Sequence, residues 1–99
     1  MNTIKNSDIY IEVELLGNTL HIREEEIYEA RIAAESDPKR QKAMRSFRAM
    51  GNELGNQMGI VWAMHDLYKA ETLEDILSVQ KQLQAYEKLQ NERMAELAA

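Results

Sequence analysis

Cysteine is absent from the 99 residues, which excludes disulfides, thiolate zinc sites and thiol nucleophiles together. Long apolar runs are missing too: the longest, Gly59 to Met64, falls far short of the roughly 20 residues that span a bilayer. No secretory pattern opens the chain, so the cytoplasm is the expected compartment. Ser7, Ser36, Ser46 and Ser78 lie in no Gly-x-Ser-x-Gly elbow, and there is neither a phosphate loop nor a dinucleotide fingerprint. No cofactor is implied, and enzyme activity is not expected.

What is present suits one soluble folded domain, with 44% hydrophobic and 29% charged residues. A net charge of -5 argues against general nucleic-acid binding, but the average hides a polarised chain. Residues 8–37 carry nine acids against Arg23 and Arg31, whereas 39–48 hold Lys39, Arg40, Lys42, Arg45 and Arg48 with no acid.

From Asp8 onward Ile9, Ile11, Val13 and Leu15 alternate with Tyr10, Glu12 and Glu14, the period-2 pattern of a half-buried strand. Gly17-Asn18 has the composition of a type II′ turn, and Thr19 to Arg23 alternates again. Folding outward from that turn pairs Leu15 with Leu20 and Val13 with Ile22 on the apolar side, and Glu14 with His21 and Glu12 with Arg23 on the other. The spacing therefore predicts a β-hairpin over 8–23. A short acidic helix over 24–35 is expected next, its Glu24, Glu25, Glu26 and Glu29 read as a solvated helix start rather than a cation site.

Ser36-Asp37-Pro38 then breaks the chain, with Asp37 placed to cap a new helix and Pro38 at its first position. Phe47, Met50, Leu54, Met58, Val61 and Tyr68 fall at steps of three and four, which predicts one long helix over 38–70. Inside it Gly51, Gly55, Gly59 and Ala63 recur every fourth residue. On a helix they form a notch that admits another backbone, and that packing would offset the roughly 0.8–1 kcal/mol each helical glycine costs. The repeated Gly-Asn at 51–52 and 55–56 also suits a loop. Thr72 and Asp75 have capping-box spacing and open a last helix over 72–97, packed antiparallel on its predecessor, with Gln90 interrupting an apolar seam.

The expected fold is thus α+β and mostly α: a hairpin, a short acidic helix and a long antiparallel helix pair in an oligomeric bundle. The apolar seams exceed what one chain covers, so a homo-oligomer through 38–70 and 72–97 is expected. His65-Asp66 has the residue types of a metal phosphohydrolase, but the only other histidine is His21, and a core or interface histidine is the preferred assignment. Lys39, Arg40 and Lys42 crowd the positive end of a helix dipole, which calls for an anion. That anion is either the acidic helix at 24–35, of this or a neighbouring chain, or an external nucleic acid or nucleotide bound with Arg45 and Arg48. The leading functional expectation is a small interaction protein, an adaptor or inhibitor of a larger protein, of the kind found among accessory proteins of bacteria or phages. Its methionines at 44, 50, 58 and 64 supply adaptable apolar surface.

Overall fold

Residues 8–34, divided above between a hairpin and a short helix, form one continuous helix. The computed structural model describes residues 3–46 and 52–99. After a 3-10 turn at Thr3–Asn6 come α1 (Asp8–Ala34), α2 (Pro38–Ser46), α3 (Asn52–Tyr68) and α4 (Leu73–Ala98). Among the described residues there is no strand, so the fold is all-α rather than α+β, and the N-terminal β-hairpin does not exist.

Burial explains the correction. The buried positions of α1 begin Tyr10, Val13, Gly17, Leu20, Glu24 and Ile27, alternating steps of three and four that keep one helical stripe inward. The hairpin's apolar pairs are split by this arrangement: Val13 and Leu20 are 1% and 0% exposed, whereas Leu15 and Ile22 are 60% and 59% exposed. A type II′ turn needs positive φ at Gly17, and no described glycine has it. Instead Gly17 sits mid-helix, where a Cβ would overlap the Met64 sulfur. Contact with Met64 thus takes the place of the missing side chain.

The start of α1, the turn from α1 into α2 and the start of α4 are satisfied locally. The Ser7 side chain accepts from the Tyr10 amide at 3.4 Å and starts α1, with Asp8 in the first turn favourable to the dipole. At the other end Gln41 donates from Nε2 to the carbonyls of Ile32 and Glu35 at 3.0 and 3.2 Å, closing the turn into α2. Asp37 Oδ1 accepts from the Lys39 amide at 3.0 Å, the cap its position before Pro38 implied. The expected rod over 38–70 appears as α2 and α3, and the stretch between them lies outside the described residues. Thr72 and Asp75 form the capping box that opens α4: Thr72 Oγ1 accepts from the Asp75 amide at 3.2 Å, and Asp75 Oδ2 from the Glu71 and Thr72 amides at 3.0 and 3.1 Å. Those bonds favour the carboxylate and hold Asp75 below the ordinary aspartate range.

Helices α1, α3 and α4 pack against one another in a bundle measuring 54 × 25 × 16 Å. Contacts fix the directions: Gly17 meets Met64 and His21 meets Gln57, so α3 runs antiparallel to α1. Leu20 meets Gln90 and Glu24 meets Arg93, so α4 runs parallel to it. Leu20, Ile60, Leu67, Ile76 and Leu83 are all fully buried at the centre, each contributing roughly 1.5–3 kcal/mol through removal from water. Tyr10 closes one end; burial first, then the neighbouring Glu14 and Tyr68, push its phenol above the usual tyrosine value. No described helix is long and apolar enough to cross a membrane.

Candidate interaction surface

Helix α2 presents the basic segment on its own. None of its residues is buried, and polar contacts tie it to the second half of α1. Arg45 Nη1 lies 3.2 Å from Glu29 Oε2, Arg40 Nε lies 3.7 Å from Glu35 Oε2, and the Tyr28 hydroxyl donates to the Met44 carbonyl. Two of the four described cations therefore face the acidic stretch of the same chain. Lys39 and Lys42 are exposed, and Arg48 lies outside the described residues.

The four-residue small stripe is divided by its surroundings. Gly51 lies outside the described residues, Gly55 is exposed with open space where a Cβ would stand, and Ala63 is 1% exposed in the core. Only Gly59 admits a close neighbour: a Cβ there would overlap the Tyr86 hydroxyl and ring. What fills this notch is a tyrosine side chain from α4.

The α1–α4 seam holds a polar node, one member of which, Glu24, the sequence reading placed in solvent. Glu24 is 1% exposed and Gln90 0%. Gln90 Nε2 donates to the Leu20 carbonyl at 2.7 Å and to Glu24 Oε2 at 2.8 Å, and Arg93 Nη2 pairs with the same carboxylate oxygen. Glu24 Oε1, Gln90 Oε1 and two guanidinium nitrogens of Arg93 have no hydrogen-bond partner among the described residues. Breaking such a pair is strongly destabilising, while its net contribution against apolar replacement is small. Gln90 as the polar step in an apolar seam was its visible signal. Glu24 was hidden among neighbouring acids.

Beside this node α1 and α4 border an apolar groove of about 360 Å³, lined chiefly by Ile27, Ala30, Met94 and Leu97 together with Arg23 and Glu26. Arg23 reaches across to Asn91 Oδ1 at 2.9 Å. A second apolar area lies on the outer side of α1 and α3. There Ile11, Leu15, Ile22, Met58, Trp62 and Tyr68 are each more than two-fifths exposed. His65 belongs to this outer face, exposed, with its ring centroid 5.9 Å from that of Trp62. No group of three or more metal-ligating side chains occurs among the described residues. Burying apolar surface and pairing charges are the capacities these elements share.

The chain matches no family model, no curated protein and no solved structure.

Proposed function

We propose that the chain is a small non-enzymatic interaction protein of the cytoplasm, an adaptor or inhibitor that engages a larger protein while assembled with copies of itself. One observation carries this reading: among the described residues eleven large hydrophobic side chains are more than a third exposed, Trp62 most of all at 62%. Isolated exposed leucines are ordinary, but stripes of them mark surfaces that other molecules cover. The groove beside Met94 and Leu97 suits the apolar face of a partner helix, because methionine adapts to varied shapes. Affinity capture from the native cytoplasm tests it. A single stoichiometric protein retained by the wild type and lost with Leu97→Arg supports the groove as its seat, while equal retention by the variant removes the groove from the proposal.

A second reading assigns anion binding to Lys39, Arg40, Lys42, Arg45 and Arg48, with nucleic acid or a nucleotide as ligand. It is favoured by the exposure of Lys39 and Lys42 on a helix with no buried residue. Retention of DNA, RNA or nucleotide that falls with salt and is lost in Arg45→Glu/Arg48→Glu supports it. No retention at low salt eliminates it.

A further inference from the structure

We infer that Glu29 and Glu35 are intramolecular competitors at the basic helix, holding two of its guanidiniums in place of the phosphate groups of a nucleic acid. The inference rests on the anion-binding reading above and names how that site is regulated.

Residues 38–46 carry Lys39, Arg40, Lys42 and Arg45 with no acid, although the whole chain stands at -5. From Lys39 to Arg45 the helix advances about 9 Å at roughly 1.5 Å per residue, and steps of three turn the cations partway around it. A run of phosphates along a strand matches that spread.

The ion pairs that α1 makes with this segment are of the kind an outside anion displaces. Arg45 Nη1 lies 3.2 Å from Glu29 Oε2, with the two side chains 57% and 44% exposed. Arg40 Nε lies 3.7 Å from Glu35 Oε2, with the arginine side chain 74% exposed. Guanidinium groups take carboxylate and phosphate through the same fork of donors, and pairs this exposed are weak and screened by salt. Each carboxylate therefore occupies the place of a phosphate without holding it tightly.

The seating of α2 does not depend on these pairs. Gln41 Nε2 donates to the Ile32 and Glu35 carbonyls and the Tyr28 hydroxyl to the Met44 carbonyl, neutral bonds in which no cation takes part. Glu35 keeps its other oxygen, Oε1, on the Asp37 amide at 3.2 Å. Arg40 and Arg45 thus exchange carboxylate for phosphate by turning their side chains while the helix stays in place. Lys39 and Lys42, exposed and in no ion pair among the described residues, make the first contact.

The test is fluorescence anisotropy of a labelled oligothymidylate titrated with the full chain at low salt. Glu29→Gln/Glu35→Gln binds about fivefold tighter than the wild type, the gain from freeing two exposed pairs. Glutamine retains an oxygen for the Asp37 amide, and helix content by circular dichroism is unchanged. Glu29→Gln alone, which leaves the turn at 35–37 untouched, gains about twofold. The control is Glu12→Gln/Glu71→Gln, an equal change of net charge on exposed acids at the other end of the bundle, with Glu12 about 25 Å along α1 from Glu29. It stays near the wild type. A Glu29→Gln/Glu35→Gln variant no tighter than this control overturns the competition and leaves anion binding standing. Absence of binding by every form overturns both. Displacement of the oligonucleotide by ATP at equal phosphate concentration overturns the choice of a strand as the ligand.

Discussion

The two halves of α1 keep one periodicity and are held by different chemistry. From Tyr10 to Leu20 the seam meets α3 and α4 with apolar groups, and Gly17 admits Met64. From Glu24 to Ile32 it carries, beside the buried Ile27 and Ile32, a buried carboxylate bonded to α4 and the Tyr28 phenol bonded to α2. The first half supplies non-directional burial, which rewards any close fit. The second supplies directional bonds, which reward one register. The apolar groove with Met94 and Leu97 lies along this second half, at Ile27 and Ala30.

Five substitutions or conditions break or sharpen that contrast, each measured by denaturant unfolding at one fixed protein concentration because assembly links stability to concentration. The largest effect is expected at the polar node. Arg93→Ala leaves the 1%-exposed Glu24 carboxylate with Gln90 alone and costs about 3–5 kcal/mol, whereas replacing Glu24, Gln90 and Arg93 together by Met, Leu and Leu recovers the loss. In the apolar half Leu20→Ala costs about 2–5 kcal/mol through lost burial and a residual cavity, and no second change nearby rescues it.

The glycines of α3 give opposite signs. Gly55→Ala stabilises by about 0.8–1 kcal/mol, since its Cβ enters open space and the helix gains propensity. Gly59→Leu destabilises by about 1–3 kcal/mol because it must displace the Tyr86 ring. A loss at Gly55 would mean that another molecule approaches there. The smallest effect is pH-dependent. Asp75 has a lowered carboxyl value in the folded state, so its contribution is complete above the unfolded value of about 3.9 and is lost as pH falls through the folded one. The stability gap between the wild type and Asp75→Asn therefore closes in that acid range and stays constant above it.

Local signals were legible wherever a few adjacent residues decide the structure. Asp37-Pro38 and Thr72-x-x-Asp75 announce helix starts because capping is settled within one turn. The hidden element was α1, for two physical reasons. Gly17 and Glu24 occupy inward positions that an apolar pattern search passes over, and Ile11, Leu15 and Ile22, which point outward, completed a false alternation with the inward Val13 and Leu20. Those outward residues became interpretable only beside Met58 and Trp62. Their neighbours on the surface come from a helix about forty residues away, and no window along the chain brings the two together. The acidic partner for the basic helix was among the possibilities because charge acts at sequence level; its pairing of Glu29 with Arg45 and Glu35 with Arg40 required the turn at 35–37.

The core requires α1 to pass unbroken through Gly17 and Asn18. Native-state amide hydrogen exchange tests that directly, residue by residue. The amides from Leu15 to Ile22 are expected to exchange as slowly as those of Ile60 and Leu83, opening only with the whole bundle. Rapid exchange confined to Gly17, Asn18 and Thr19, with protection on either side, would put a turn there and contradict the account.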